Sequence, residues 1–336
     1  MNSRSARLRV KRESALNVHR RPADFASVDA NASLIWLLGQ PHLEEYLSFV
    51  ARKVVGGEDI PTFQLAEEWR AANDHYYALE QTEAGDADRI KTRALPKSVT
   101  NLADEVRADR YYEAIFDTLP TTIEMVEIDR FVMWQGQVAD RFATLRGEML
   151  GRTPTPDALF RFCLPLQRDL PPVSIRRLSA DRYQFVSDAT DFGAQTPQFL
   201  PEALLDTLKA TGPLAAALTI PIGFGANFLS AIRSDDRLLL HNGYHRAYAL
   251  RALGIRYAPC IVQTVTRRDE LKYAADPRVT GDPAFYFRAS RPPLLRDFFD
   301  PKLAKRLHVL PIQTVVDIQV SVTSCSSTPL PLRHQG

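Results

Sequence analysis

Apolar positions recur at helical spacing through the first third of the chain. Leu34, Leu37 and Leu38 open this pattern, and it continues at intervals of three and four residues after Pro41. The periodicity predicts an α-helical module over 30–119 whose Trp and Tyr side chains form a core. No catalytic spacing of residues occurs within it.

After Pro120 the pattern changes to short, β-branched runs separated by turn residues. Residues 121–134 alternate in part and predict a strand, which a helix over 138–150 follows. The remaining patterns predict strands over 159–166, 173–179, 182–187 and 314–322 and a short helix over 201–210.

Together these elements predict an α+β fold in which helices and strands are partly segregated. No internal repeat occurs. The predicted organisation is a disordered basic tail over 1–29, a helical module over 30–119, a mixed-sheet core over 120–270 with an insertion at about 153–197, and a proline-rich C-terminal wrap over 271–336.

The segment 227–265 carries the clearest signal. Two predicted strands, 228–233 and 237–241, are joined by a turn-rich connection, and Asn242-Gly243 then frees the backbone. A helix follows, which Gly254 closes, and 257–265 predicts another strand. The glycine therefore forms an elbow between a strand and a helix.

Such an elbow presents backbone N–H groups at a helix N-terminus, which attract anions. Arg246 in the first turn adds a forked donor suited to phosphate, and His245 beside it titrates near neutral pH. Asn227 precedes the neighbouring strand and can reach the same elbow. The alternative is structural: Arg246 and His245 tie the elbow to the strands.

The run Gly243-Tyr244-His245-Arg246, with Ala247, Leu250, Leu253-Gly254 and Pro259, resembles the G-x-x-R box of the ParB/sulfiredoxin-like superfamily and the helix and strand that follow it. The strand over 124–134 resembles that superfamily's opening strand. The resemblance covers about 120–268 if the insertion is admitted. It implies a small mixed-sheet core, and a box that binds nucleotide phosphates.

By this resemblance the ligand is ATP or another NTP with Mg²⁺, or another phosphorylated small molecule, and phosphoryl transfer or NTP hydrolysis are candidate reactions. Sulfiredoxin carries its reactive cysteine where Tyr244 stands here, so its reductase chemistry is not expected. The phosphate-binding candidates are Asn227, Asn242, Gly243, Tyr244, His245 and Arg246. The catalytic candidates are His245, Asp188, Asp191 and Glu127, and the three carboxylates among them are also the candidates for the magnesium. The alternative for Asp188 and Asp191 is a structural role in capping a loop.

Charge leaves two other functions open. The formal net charge of +2 implies neither nucleic acid nor membrane. The first 22 residues, however, carry seven basic side chains against Glu13, which fits a solvated tail, a transit peptide or a nucleic-acid-binding arm. A nucleic-acid-associated protein or nuclease accessory factor is therefore the alternative function, and a non-enzymatic interaction protein is the third.

Cysteine usage favours a reducing, cytoplasmic setting. Cys163, Cys260 and Cys325 are widely spaced, and neither a disulfide framework nor a metal site is predicted from them. His241 and His245 do not share a helix face, because Gly243 lies between them. The longest apolar run, 213–229, is interrupted by proline and glycine and is too short to span a bilayer, so no membrane association is expected.

Overall fold

The computed structural model describes residues 32–40, 42–167, 169–310 and 313–322. The basic N-terminal segment and Cys325 lie outside these residues, as do the predictions made for them. The architecture is α+β, as the sequence predicts.

Fifteen strands are described. They are β1 (Ala32–Leu37), β2 (Thr92–Arg93), β3 (Thr121–Glu127), β4 (Gln137–Ala139), β5 (Ser174–Arg177), β6 (Arg182–Ser187), β7 (Phe192–Ala194), β8 (Gln198–Phe199), β9 (Leu218–Thr219), β10 (Ile222–Phe224), β11 (Ser230–Ser234), β12 (Arg237–Asn242), β13 (Tyr257–Val265), β14 (Ala304–Val309) and β15 (Thr314–Gln319).

Ten α-helices are described, together with several single-turn 3₁₀ segments. They are α1 (Leu43–Lys53), α2 (Thr62–Glu83), α3 (Thr100–Arg107), α4 (Arg110–Phe116), α5 (Asp140–Leu150), α6 (Pro156–Cys163), α7 (Tyr244–Ala252), α8 (Leu271–Ala274), α9 (Pro277–Gly281) and α10 (Pro283–Phe287). None of these helices combines the length and the apolar character that crossing a bilayer requires.

The central element is a five-stranded sheet with the order β12-β11-β13-β3-β2. β11 and β12 form the predicted hairpin, and α7 then returns the chain so that β13 runs parallel to β11. β3 pairs antiparallel with the other edge of β13. The predictions for β11, β12, α7 and β13 are confirmed. The strand predicted over 121–134 is confirmed only as far as Glu127, and residues 128–134 lie outside the strand. α5 packs on α7, with Gly147 facing Ala249 and Leu253.

The helical prediction for Leu34, Leu37 and Leu38 is wrong for the first two, which lie in strand β1, and Leu38 directly follows it. β1 pairs with β14 on one side and with β4 on the other. The remaining helical predictions of this part of the chain are confirmed as α1 to α4. Apolar spacing over so few residues does not separate a strand from a helix, and the pairing partners of β1 lie far away in sequence.

Two further predictions are wrong. Residues 159–163, predicted as strand, lie in α6, which Pro156 begins and Thr155 caps by accepting a hydrogen bond from the backbone N–H of Ala158 at 3.2 Å. The segment 201–210 contains a 3₁₀ turn over Glu202–Thr207 rather than an α-helix, and none of the turn's side chains is buried. Without an apolar face to bury, this segment gains no tertiary support for an α-helix.

The largest buried cluster joins residues from all of the predicted segments after the tail. It includes Ile35 of β1, Val138 of β4, Leu240 of β12 and Phe298 near the C-terminal end. Helices α3 and α4 therefore pack against the same core that holds the elbow, whereas α1 and α2 bury their apolar side chains in a second cluster with β1 and β14. In the insertion, β7 pairs antiparallel with β10, which lies beyond it in sequence, and β5 and β6 form a separate sheet with β15.

Candidate functional site

The elbow between β12 and α7 has the backbone form that the sequence predicts. Gly243 has φ 94° and ψ 26°, in the left-handed region, and α7 begins at the next residue. A Cβ on Gly243 would lie 2.7 Å from Cδ1 and 3.1 Å from Cα of Leu229. Only glycine satisfies both the torsion angle and this close approach. The first N–H groups of α7, which have no acceptor within the helix, consequently lie at the end of β12.

Two asparagines brace the elbow against the segment before β11. Asn242 accepts a hydrogen bond from the backbone N–H of Gly243 at 2.8 Å, and its Nδ2 donates to the carbonyl of Ala226 at 2.7 Å. Nη1 of Arg246 donates to Oδ1 of Asn227 at 2.6 Å. The structure therefore brings together Asn227, Asn242 and Arg246, and the Arg246 side chain is only 3% exposed.

Tyr244 lies on the inner side of the elbow. Its hydroxyl donates to the carbonyl of Leu240 at 2.7 Å, and its ring meets the ring of Trp134 edge-on at 5.8 Å between centroids. Burial raises the pKa of Tyr244 well above its ordinary value. Its side chain therefore secures the start of α7 to β12, while any contact with a ligand falls to its backbone N–H.

His245 lies between positive side chains. Burial lowers the pKa of His245 to about 4. The positive charges of Arg146 and Arg246 lower it further, and the negative charge of Asp191 acts in the opposite direction. The imidazole meets the exposed ring of Phe142 edge-on at 5.1 Å, and the guanidinium of Arg146 lies 4.5 Å from the centroid of that ring. The histidine is therefore neutral at pH 7. One of its ring nitrogens then accepts a hydrogen bond or a proton, and the other donates a hydrogen bond.

The insertion supplies one carboxylate to this group. The backbone N–H of Gly225 donates to the carbonyl of Asp191 at 2.9 Å, next to the paired strands β7 and β10, and places Asp191 near His245. Asp188 is turned to another partner, because its carboxylate accepts a hydrogen bond from Nε2 of Gln313 at 2.9 Å. Of the two aspartates, Asp191 therefore lies near His245, whereas Asp188 binds Gln313.

Glu127 lies away from the elbow. Glu127 lies opposite Tyr257 of β13. Asn242 at the elbow lies opposite Ser230 of β11, and Ser230 in turn lies beside Ile261 of β13. Four residues of strand separate these positions by about 13 Å along β13. Arg256 and Arg130 bind the carboxylate of Glu127 at 2.9 Å each, and although burial raises its pKa, these partners hold the pKa below its ordinary value. The structure gives Glu127 an ion-pairing role.

Within the described ranges, no group of three or more His, Cys, Asp or Glu side chains is arranged to hold a metal ion. His241 and Cys260 also carry side chains of metal-ligating type, and both are shielded from solvent. Cys260 is fully buried in β13, where burial raises the pKa of its thiol well above its ordinary value. Burial lowers the pKa of His241, against the charge of Asp276.

Sequence reasoning missed Arg146 and Phe142. Both lie on α5, which the sequence predicted as a helix, but nothing in its pattern distinguishes them from ordinary surface residues. Only the packing of α5 on α7 brings them to His245. An arginine and an exposed aromatic residue four positions apart on one helix face are a weak signal by themselves.

The elbow's polar residues thus converge from β12, α7, α5, the segment before β11 and the insertion.

No family model matches the chain, and neither a curated protein nor a solved structure similar to it was found.

Proposed function

We propose that this protein binds the phosphate group of a nucleotide, or of another phosphorylated small molecule, at the Gly243 elbow. The observation that carries the proposal is the left-handed Gly243, from which α7 starts directly at the end of β12 with Arg246 in its first turn. A helix N-terminus combines free N–H donors with a positive dipole end. The resemblance of this segment to the G-x-x-R box is consistent with that role.

Charge around the elbow supports an anionic ligand. The positive charges of Arg146 and Arg246 both lower the pKa of His245, and among the described residues only the carboxylate of Asp191 opposes them. Asn227, Asn242 and His245 are each partly exposed, and Asp191 is exposed, so a ligand has access from this side. A phosphate placed here receives backbone N–H groups and guanidinium donors together.

Asp191 is the residue that fits a magnesium ion. Mg²⁺ in nucleotide sites is held by one or two carboxylates together with phosphate oxygens and water, and Asp191 is the predicted carboxylate that lies near His245. The ion would supply charge neutralisation on the phosphates. For phosphoryl transfer or NTP hydrolysis, the neutral imidazole of His245 is the proton acceptor that we propose.

Calorimetric titration with ATP, CTP and GTP, with and without Mg²⁺, tests the proposal. We expect saturable binding of at least one nucleotide. The substitution Arg146→Gln, which removes a partly buried charge without touching the core, should weaken binding about tenfold. Arg152→Gln removes the same charge from an exposed position just beyond α5 and should leave binding unchanged.

The substitution Asp191→Asn distinguishes the contribution of the metal to binding from that of the phosphate. This variant should bind nucleotide in the absence of Mg²⁺ at least as well as the native chain and should lose the gain that Mg²⁺ brings. A nucleotide as the ligand is ruled out if none of the three binds, and the elbow as the site is ruled out if Arg146→Gln and Arg152→Gln behave alike.

A further inference from the structure

A second concave site lies on the N-terminal side of the fold, between α1, β1 and the turn that leads into β4. It has a volume of about 290 Å³, close to that of the smallest small-molecule sites, about 300 Å³. Trp36 and Phe49 form its aromatic wall, with ring centroids 4.4 Å apart. Lys53, Gln137 and Arg278 are among its polar lining residues, and none of them belongs to the elbow.

Two residues that line this cleft each carry a buried polar atom that has no hydrogen-bond partner among the described residues. They are the indole Nε1 of Trp36 and the amide Oε1 of Gln137. The Trp36 side chain is only 4% exposed, and the backbones of Trp36 and Gln137 are paired in the sheet. Leaving a buried donor or acceptor unsatisfied costs about 1–3 kcal/mol. A donor and an acceptor left unsatisfied at one cleft point to a ligand that supplies the complementary pair.

The rim of the cleft is positively charged. Three basic side chains line the cleft: Arg52, Lys53 and Arg278. The acidic residue in the lining is Glu45, whose carboxylate binds Arg278 at 3.2 Å. Nε of Arg52 donates to the carbonyl of Ser48 at 3.2 Å. Lys53 is exposed and forms no ion pair with any described residue, so its ammonium group is available to a ligand.

We propose that this cleft binds a small planar anion whose ring carries a lactam edge, that is, a ring carbonyl next to a ring N–H. The indole N–H of Trp36 donates to the carbonyl, and Oε1 of Gln137 accepts from the ring N–H. The ring packs on Phe49, and the carboxylate or phosphate of the ligand pairs with Lys53. Because neither orphan atom is exposed, the partly buried side chains of Gln137 and Phe49 rotate to admit the ring.

Three probes with one kind of ring test this assignment by calorimetry. Orotate carries the lactam edge with a carboxylate, uridine 5′-monophosphate carries it with a phosphate, and uridine is neutral. We expect orotate or the monophosphate to bind with a Kd below about 1 mM and uridine to bind at least about tenfold more weakly. The two anions tell whether a carboxylate or a phosphate is preferred.

Variants locate the binding. Lys53→Gln and Trp36→Phe should each weaken binding of the anion about tenfold, by loss of the charge and of the indole N–H respectively. Arg70→Gln, an equal loss of charge at an exposed position on α2, should leave it unchanged. Lys53 is exposed, so its variant is expected to fold even if Trp36→Phe does not.

Three results overturn the assignment: neither anion saturates by about 10 mM, uridine binds as tightly as the anions, or Lys53→Gln and Arg70→Gln behave alike. Binding of the monophosphate that is lost in Arg146→Gln but kept in Lys53→Gln would place it at the elbow and would also count against the cleft. The two proposals therefore fail independently.

Discussion

The guanidinium of Arg246 donates a 2.6 Å hydrogen bond to the side-chain carbonyl of Asn227, which lies just before the adjacent strand β11. The arginine is almost fully buried, so this bond satisfies part of a charge that is costly to remove from water. The same contact orients Arg246 in the first turn of α7. The anion site that we propose depends on it.

Asn227→Ala should therefore lower the free energy of unfolding by about 2 kcal/mol, because it removes an acceptor from a buried charged donor. Urea denaturation measures the change. Asn101→Ala, at an exposed position on α3, is the matched control and should change stability by less than about 0.5 kcal/mol. Equal effects at the two positions would show that the Arg246–Asn227 bond contributes little.

Gly243→Ala should destabilise the protein by about 3 kcal/mol, since it combines left-handed strain with a collision with Cδ1 of Leu229 at 2.7 Å and a tight contact with its Cα at 3.1 Å. Gly254 is the matched control at the other end of α7: its φ is 80°, but a Cβ there would meet no atom within 4 Å. Gly254→Ala should cost only about 1 kcal/mol. Chemical denaturation of both variants measures the difference, and equal costs would contradict the close approach at Leu229.

Stability should fall on acidification through His245. Its pKa is about 4 in the folded chain, against an ordinary value of 6.5. Between these values the unfolded chain binds a proton that the folded chain does not, so the free energy of unfolding falls as the pH decreases from about 6.5 to 4. The contribution is at most about 3 kcal/mol.

His245→Gln should abolish this part of the pH dependence. Urea denaturation at pH 7 and pH 4.5 should show a smaller loss of stability in the variant than in the native chain. His308→Gln, at an exposed position in β14, should retain the native dependence. An unchanged loss in His245→Gln would mean that the imidazole is already protonated in the folded chain at pH 4.5.

A buried ion pair lies within the C-terminal segment, and its arginine also binds Glu83 at the end of α2. Arg291 and Asp297 have side chains that are each 2% exposed, and Nη2 of Arg291 donates to Oδ1 of Asp297 at 2.7 Å. Asp297→Asn should cost about 3 kcal/mol, because it leaves a buried guanidinium with Glu83 as its remaining carboxylate.

The exposed pair of Arg161 and Asp157 on α6 provides the control for that measurement. Asp157→Asn should change the free energy of unfolding by less than about 0.5 kcal/mol, since solvent screens the pair. Thermal or urea denaturation distinguishes these outcomes, and a loss below about 1 kcal/mol in Asp297→Asn would contradict a stabilising role for the buried pair.

Local signals were sufficient for the elbow. The turn residues between β11 and β12, the Asn242-Gly243 pair and the helix that Gly254 closes are all encoded within about 40 residues, so that strand, turn and helix could be placed from the sequence. The placement of Asn227 beside Arg246 follows from the same hairpin, because Asn227 precedes the strand that pairs with β12.

The sequence by itself therefore determined the α+β class and the backbone of the elbow, because turn chemistry and apolar periodicity act over short distances. Only the tertiary structure decided that β1 is a strand, that Arg146 and Asp191 join His245, and that Glu127 belongs to an ion pair elsewhere. Those outcomes depend on which distant segments pack together. A local sequence pattern does not predict them, because strand pairing and burial depend on tertiary contacts.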